Sequence, residues 1–426
     1  MHILPVQTRS NDVVARCALY NTGREPERLA LKYRAMCRSP FGFFRGTAHL
    51  FWEDARAAHL SLPDGPPAWA CGDLHLENFG SYRGSNRLAY FDLNDFDEAA
   101  LGPATWELAR LVTSLYVAAP SLGLDRADAT ELARCFLTAY QTALANGKAL
   151  WIERATARGM VRDLLLAVKG RSRGELLESR TKWRNGREFL RTDGRHALPL
   201  PQGKRAATAT LFARFVRTGF HGERFRLLDI ARRIAGTGSL GIHRYVLLVE
   251  EEDRRERRML LDVKEAQPSA FAPYAGVEQR AWATEAERVV QLQHRMQAVS
   301  PALLQAATLG GVAYIVRELQ PTEDRLSLDA ASNRPRRLRG ALKAMARTVA
   351  WAELRSSGRG GSATADELIA FAATRGWQQG LIDYARRYHR TVDHDWRQFV
   401  AAHDGGALEP VVPSLSTEQG APSSPR

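Results

Sequence analysis

The sequence predicts an α+β protein built as two lobes. Apolar residues recur at helical spacing from residue 106 to about 190, and again from 330 to about 403. Between these regions, from about residue 225 to 318, three short apolar runs have the composition of strands. A link at residues 198–203, with two prolines and a glycine, separates the two patterns. We therefore expect a mainly helical lobe and a smaller lobe that contains a β-sheet.

The composition is that of an ordinary globular protein. The chain has 426 residues, of which 45% are hydrophobic and 25% are charged, enough for two or three packed units. No apolar run approaches the length of a membrane span, and the N-terminus lacks a signal pattern, so we expect a soluble cytoplasmic protein with no membrane partner. Four scattered cysteines without a C-x-x-C pair disfavour a disulfide framework or a zinc site.

The net charge of +13 raises the question of nucleic-acid binding. Arginine supplies most of this charge, and it is spread over most of the chain, which a compositional bias would also produce. The densest basic stretches are residues 154–195 and 334–339. They are interpreted either as solvated helix faces or as an electropositive rim that attracts an anionic ligand. Nucleic acid is therefore an unlikely partner on this pattern.

The first half of the chain is predicted to be helical apart from two short strands that flank the loop at residues 71–78. The expected elements are helices from about residue 25 to 60 with a break at 39–42, strands at Ala68–Cys71 and Leu88–Asp92, and a helical region from Trp106 to about Leu190.

The second half is predicted to begin with strands and to end with helices. The expected elements are strands at Tyr245–Glu250, Met259–Lys264 and Ala313–Glu318, a helix from about Glu278 to Val299, and helices from about 330 to 403 that are interrupted at 356–362. These elements divide the chain into a helical lobe at 1–204, a β-containing lobe at 205–325, further helices of the first lobe at 326–404, and a disordered tail at 405–426.

The segment C-G-D-L-H-L-E-N at residues 71–78 carries the strongest chemical signal. Asp73 follows a glycine at the end of a predicted strand, where its carboxylate can accept a proton from a substrate hydroxyl. The side-chain oxygen of Asn78, five residues later, is a candidate ligand for Mg²⁺. Asp92 and Asp95 are both candidates for the second metal ligand. Asp92 is marginally favoured because it ends a strand.

Two features of the β-containing region suggest a nucleotide-binding site. Gly236, Gly238 and Gly241 form a G-x-G-x-x-G pattern that a strand follows, which favours a hairpin over phosphates more than a dinucleotide-binding turn. Lys264 ends the next strand and could reach phosphate oxygens. The following helix offers Glu278, Glu285 and Glu287 to position this lysine, and Glu287 is expected to do so, with Glu285 nearly as good.

With these motifs in view, the chain resembles the protein-kinase-like superfamily, on its aminoglycoside and choline phosphotransferase side. There the catalytic loop reads H-G-D-x-x-x-x-N and precedes a strand and an acidic motif, as in residues 71–78 and 91–98, with Cys71 in place of the histidine. Residues 102–110 are similar to the family's G-D-P-x-x-D-L-A segment, with Glu107 at the structural acidic position. The combined motifs look like an uncharacterised bacterial domain-of-unknown-function family assigned to that superfamily.

The order of these motifs is the reverse of that in ordinary kinases. Asp73 precedes Gly236 and Lys264, whereas a kinase places its glycine-rich loop and lysine before the catalytic loop. The resemblance therefore implies a circularly permuted, two-lobed kinase-like fold. A small lobe without five strands near Lys264, or a large separation between Lys264 and Asp92, would contradict it.

The resemblance implies an ATP- and Mg²⁺-dependent phosphotransferase that acts on a hydroxyl of a small molecule or protein. One alternative is AMP transfer to a protein, with the nucleotide turned around and the same metal ligands. Another is a nucleotide sensor or scaffold without catalytic activity. A nucleic-acid-binding protein is the remaining class, and it predicts steeply salt-dependent binding.

Overall fold

In a computed structural model the protein is described at residues 12–57, 62–201, 203–218, 224–236, 238–321, 324–328 and 334–408.

Several helices begin at side chains that cap free backbone N–H groups. Thr364 and Glu367 form a reciprocal capping box, and Ser39 caps a helix with proline at its first position. The α-helices of the described residues are α1 (Val13–Tyr20), α2 (Pro26–Cys37), α3 (Pro40–Gly46), α4 (Ala48–Arg56), α5 (Ala104–Ala118), α6 (Arg126–Ala145), α7 (Gly159–Lys169), α8 (Arg173–Arg180), α9 (Arg205–Thr218), α10 (Glu285–Met296), α11 (Pro335–Ser356), α12 (Ala365–Ala372) and α13 (Trp377–Asp404).

The strands of the described residues pair in antiparallel sheets. They are β1 (Pro67–Ala70), β2 (Phe79–Arg83), β3 (Ala89–Leu93), β4 (Ala100–Pro103), β5 (Ile152–Glu153), β6 (Thr181–Arg184), β7 (Arg187–Leu190), β8 (Ala197–Leu198), β9 (Phe225–Arg233), β10 (Arg244–Glu251), β11 (Arg254–Glu265), β12 (Gln305–Leu309), β13 (Val312–Glu318) and β14 (Asp324–Arg325).

The largest hydrophobic core is helical and surrounds α5. Nearly every residue of α5 is buried, because α13, α6 and α3 pack against its different sides. Helix α11 packs along α6 and extends this core towards α7 and α10. The short pairs β1–β4 and β2–β3 lie at the edge of this unit and hold the loop that contains Asp73.

A six-stranded antiparallel sheet forms the second unit, in the order β12-β13-β11-β10-β9-β8. Successive side chains of a strand point to opposite faces. On β11, Leu261 and Val263 pack with Phe212 and Val216 of α9. Asp262 and Lys264 therefore point to the other face of the sheet, where they line a cavity.

The prediction of an α+β fold is confirmed, and the three predicted strands lie within β10, β11 and β13. The helical region expected from Trp106 to about Leu190 is interrupted by β5 and is wrong beyond α8, because β6 and β7 form a hairpin there. Asn185 and Gly186 both have positive φ at its tip, as a type I′ turn requires. Strand β2 was not predicted, and α10 is shorter than the expected helix at 278–299.

The proposed division of the chain can be compared with the pairing of the strands. Strand β8 joins the six-stranded sheet through β9, although it lies before residue 205. Helices α11 and α13 pack on α6 and α5, as expected for a segment that returns to the helical unit. Of the tail at 405–426, residues 409–426 lie outside the described residues. None of the described helices combines the length and the apolarity that a membrane crossing requires.

Candidate active site

A cavity of about 690 Å³ lies between the six-stranded sheet and the loops that follow β1 and β3. Asn78, Asp95 and Asp97 line it from the loops, and Lys264 and Gly236 line it from the sheet. One face of α8 covers a further side, which the sequence did not lead us to expect. Its lining residues recur at helical spacing: Ser172, Glu175, Leu176, Ser179 and Arg180.

The loop that carries Asp73 is fixed by its neighbours. Gly72 has a φ of 78°, and a Cβ atom at this position would clash with the carbonyl oxygen of Glu98. The Gly72 N–H donates to Glu107 Oε1 at 3.0 Å, and its carbonyl accepts from Trp52 Nε1 at 3.0 Å. Burial raises the pKa of Glu107 to about 7. Buried contacts on both sides of Gly72 therefore set the direction of Asp73.

Asp73 combines a buried ion pair with partial access to solvent. Its Oδ1 accepts from Arg110 Nε at 2.7 Å, and Arg110 itself is fully buried above the ring of Phe44. The Asp73 side chain keeps 21% of its exposure. Desolvation raises the pKa of Asp73 to about 7, against the opposing effect of Arg110. A carboxyl group with this pKa is suited to accept a proton near neutral pH.

A smaller cavity of about 60 Å³ adjoins the first at Asp73. Asp95, Asp97 and Gly236 line both cavities, whereas Asp73 and Glu98 line only the smaller one. The carboxylate of Asp73 therefore lies in a pocket that shares part of its wall with the larger of these two cavities, which we call the main cavity.

Asn78 joins the two acidic loops. Its Oδ1 accepts from the N–H of Asp95 at 2.8 Å, and its Nδ2 donates to the carbonyls of Asp73 and Asp95, each at 3.2 Å. Asn78 is nearly fully buried, at 2% exposure. The Asn78 amide therefore sets the separation of Asp73 and Asp95. The bond from the Asp95 N–H uses one of the two lone pairs of Asn78 Oδ1.

Asp95, Asp97 and Lys264 lie close together in the wall of the main cavity. The Lys264 ammonium forms an ion pair with Asp97 Oδ2. Burial lowers the pKa of Lys264 to about 8, although the charge of Asp95 acts in the opposite direction. Within the described part of the chain, no group of three or more His, Cys, Asp or Glu side chains is placed to hold a metal ion. Two carboxylates do fit Mg²⁺, which is usually bound by one or two carboxylates together with substrate phosphates.

The structure does not place Asp92 in the cavity, contrary to the expectation from the end of its strand. Asp92 is 3% exposed and accepts from the N–H groups of Leu93 at 2.9 Å and Ala298 at 3.2 Å. Arg355 of α11 lies 3.5 Å from it. Asp92 thus points into the helical unit, and Asp95 is the aspartate of the two that reaches the cavity.

The helix glutamates that were expected to position Lys264 have other partners. Glu287 accepts from the Ala283 N–H at 3.1 Å and takes part in capping α10 with Thr284. Glu285 pairs with Arg288 at 2.6 Å. The carboxylate that pairs with Lys264 is that of Asp97, which belongs to the acidic motif at residues 91–98.

The glycine pattern forms the turn between β9 and β10. Gly236 and Gly241 both have positive φ, and Gly236 borders both cavities. Arg24 donates to the carbonyls of Gly238 and Leu240, each at 2.8 Å, which fixes the turn against the segment before α2. Residue 237 lies outside the described residues. The bonds from Arg24 therefore hold the glycine turn at the cavity, opposite the acidic loops.

Two further residues of the first motif have structural partners. His75 is buried, and desolvation lowers its pKa well below the usual value, so it is neutral and its Nδ1 accepts from the Glu77 N–H at 3.1 Å. Arg45 pairs with Glu77 at the cavity wall.

The sequence did not predict the arginines around Asp262, which come from three different strands and form no local motif.

Comparison with known proteins gives a family without an activity. A family model described as "Uncharacterized protein conserved in bacteria (DUF2252)" matches residues 24–402. No curated protein and no solved structure matches the chain. The chemistry of the cavity must therefore be argued from its own residues.

Proposed function

This chain belongs to the DUF2252 family of uncharacterised bacterial proteins, and we propose that it is an ATP- and Mg²⁺-dependent phosphotransferase that acts on a hydroxyl group. The observation that carries the proposal is the set of groups around one cavity. Asp95 and Asp97 face Lys264 beside a glycine turn, and Asp73 lies in the adjoining pocket. Phosphoryl transfer needs these groups to position a nucleophile and to neutralise phosphate charge.

The order of strands in the sheet supports a kinase-like interpretation. The glycine turn joins β9 and β10, Lys264 is near the end of β11, and α10 lies between β11 and β12. With β8 added at one edge, the strands β9-β10-β11-β13-β12 give the five-stranded sheet near Lys264 that the resemblance requires of the small lobe. Because Asp73 and Asp95 precede this sheet in the chain, we propose that the fold is a circularly permuted, two-lobed member of the protein-kinase-like superfamily.

Each side chain then has a defined role. Asp73 orients the acceptor hydroxyl and accepts its proton, and Lys264 and the N–H groups of the glycine turn bind phosphate oxygens. Asp95 and Asp97 would hold Mg²⁺, which neutralises phosphate charge when bound. Asn78 keeps Asp73 and Asp95 at a fixed separation through its hydrogen bonds.

Product analysis with Mg²⁺–ATP tests this proposal. We expect slow formation of ADP by the wild type, with water as acceptor, and at least about a hundredfold loss in Asp73→Asn. Asp163→Asn is a matched control, because Asp163 is an exposed aspartate of α7 far from the motif in sequence. Pyrophosphate in place of ADP would indicate AMP transfer. A folded protein that neither binds nor turns over Mg²⁺–ATP would contradict both reactions.

A further inference from the structure

Three arginines converge on one buried carboxylate in the wall of the main cavity. Asp262 is 2% exposed and accepts from Arg244 Nε at 2.9 Å and Nη2 at 2.6 Å. Arg233 also forms an ion pair with Asp262, and Arg317 Nε lies 3.6 Å from it. These side chains come from β9, β10, β11 and β13 and all line the cavity.

The cluster makes this end of the cavity electropositive. The arginines hold the pKa of Asp262 well below its usual range, so the group carries three positive charges against one negative charge. Arg180 of α8 lines the same cavity, and its Nε and Nη1 are buried without a hydrogen-bond partner among the described residues. Burying such donors without a partner is unfavourable, and an anionic ligand would satisfy them.

The cluster lies close to Lys264, the residue that is proposed to bind phosphate. Asp262 and Lys264 are two residues apart on one face of β11, which separates them by about 7 Å. A chain of two or three phosphates can extend over this length. Arginine binds phosphate and carboxylate groups alike through paired N–H donors, and phosphate is the anionic group that the proposed function brings to Lys264.

A nucleobase would be poorly accommodated at the same place. Ring-binding pockets are lined mainly by apolar and aromatic groups. Here a flat ring would cover Asp262 and its arginines and remove water from their charged atoms without replacing its hydrogen bonds. The cluster therefore favours an anionic group at this end of the cavity.

We propose that Arg233, Arg244 and Arg317, together with Arg180, form a polyphosphate subsite. The phosphate chain runs along β11 from Lys264 towards Asp262, and the base lies elsewhere in the cavity. This inference rests on the proposed function and deepens it, since it names the part of the nucleotide that the Asp262 end of the cavity holds.

Titration calorimetry with three probes tests the subsite. The probes are Mg²⁺–ATP, Mg²⁺–tripolyphosphate and adenosine. We expect ATP and tripolyphosphate to bind the wild type and to compete with each other, and we expect adenosine not to displace tripolyphosphate. Arg180→Gln should weaken both anions by at least about tenfold. This variant does not remove a partner of Asp262, so it should fold normally, and a thermal melt checks that it does.

Arg233→Gln provides a second variant with a matched control on the same strand. Arg226 lies on β9 as well, is 62% exposed and pairs with Glu250 instead of Asp262. We expect Arg233→Gln to weaken tripolyphosphate by at least about tenfold and Arg226→Gln to leave it unchanged.

The outcomes separate this inference from the proposed function. If ATP is turned over but Arg180→Gln and Arg233→Gln bind both anions as the wild type does, the subsite is refuted and the phosphotransferase proposal stands. Competition by adenosine against tripolyphosphate would also refute the subsite. If tripolyphosphate binding is lost in both variants while ATP yields no product, the subsite stands and the proposed function fails.

Discussion

Asp73 shows how the surroundings of one residue change its acid–base behaviour. Burial favours the neutral carboxyl, whereas the Arg110 guanidinium favours the carboxylate, and the balance raises its pKa to about 7. The carboxylates of Glu98 and Asp95 add to the upward shift. A surface aspartate would be ionised at all physiological pH values and would be a weak base.

The pH dependence of turnover should report this pKa. Only the ionised carboxylate can accept a proton, so the rate of ADP formation should fall as the pH drops below about 7 and level off above it. The measurement is the initial rate of ADP formation between about pH 5 and about pH 9. The residual rate of Asp73→Asn should lack this inflection. A wild-type rate that stays constant over the range would argue against Asp73 as the base.

The two acidic candidates should respond differently to the same substitution. Asp95→Asn removes a carboxylate from the cavity, so it should raise the Mg²⁺ concentration needed for ATP binding by about tenfold or more. Asp92→Asn instead weakens the contact with Arg355 and should lower the free energy of unfolding by about 1–3 kcal/mol.

Calorimetric titration of ATP at several Mg²⁺ concentrations, together with urea unfolding, separates these effects. A loss of Mg²⁺ dependence in Asp92→Asn, with Asp95→Asn behaving as the wild type, would reverse the assignment.

Sequence could point to the acidic motif but not to the aspartate that faces the cavity. The spacing of Asp73 and Asn78 was visible as a local pattern. Hydrogen bonds hold both residues in place, from the Gly72 N–H to Glu107 and from Asn78 Nδ2 to the Asp73 carbonyl. The direction of Asp92 depends on Arg355, which lies 263 residues further along the chain. No local pattern encodes a contact at that separation.

At the scale of elements, the loop that carries Asp73 depends on Gly72. Its positive φ turns the chain between β1 and Asp73, and the missing side chain lets the backbone approach Glu98. The Gly72 N–H donates to Glu107, and the Gly72 carbonyl accepts from Trp52. The loop is thus placed by packing on α4 and α5 instead of by its own turn propensity.

Gly72→Ala should therefore destabilise the protein beyond the ordinary effect of positive φ. The added Cβ meets backbone atoms of Glu98, which cannot move aside as a flexible side chain would, so we expect a loss of about 3 kcal/mol or more in the free energy of unfolding. Gly186→Ala is the matched control. Gly186 has a φ of 70° with nothing within 4 Å of the added Cβ, and its substitution should cost about 1 kcal/mol.

Urea unfolding of the two variants gives the comparison. Equal losses in both would mean that the loop can relax around Glu98 and that the close approach does not hold Asp73 in place.

The elements differed in how well sequence patterns predicted them. Strands β10 and β11 were predicted because their apolar runs are continuous and flank a charged turn. Helix α8 was absorbed into a longer helical region, since none of its residues is fully buried and its pattern is polar. Its role at the cavity comes from its position beside β13, where Arg173 bonds Glu318.

At the scale of the whole molecule, the sheet and the helical unit meet around the cavity. Lys264 pairs with Asp97, and Arg288 of α10 donates to the carbonyls of Asp97, Ala99 and Gln267. On the other side, the Glu25 N–H donates to the Gly241 carbonyl at 2.8 Å. Charged and backbone groups therefore join the two units where a ligand would bind.

The sequence indicated this arrangement only through the order of its motifs. That order showed that any nucleotide-binding sheet had to follow the acidic loops, and a sheet with Lys264 does face them. The arginines around Asp262 could not be predicted, because strand pairing between residues as far apart as 233 and 317 brings them together.

A ligand that touches both units should stabilise the whole chain. At a free concentration of one hundred times its dissociation constant, a ligand adds about 2.7 kcal/mol to the free energy of unfolding. Mg²⁺–ATP should therefore raise the melting temperature of the wild type by several degrees. Lys264→Met removes the cation that faces Asp95 and Asp97, so most of this ligand-induced shift should disappear.

Lys343→Met is the matched control, because Lys343 is an exposed lysine of α11 and lies outside the cavity beside Asp73 and Lys264. Its ligand-induced shift should equal that of the wild type. The measurement is differential scanning calorimetry of the three proteins with and without Mg²⁺–ATP. The same shift in Lys264→Met and in the wild type would place the nucleotide away from the cavity, because a ligand in contact with Lys264 must lose binding energy when that charge is removed.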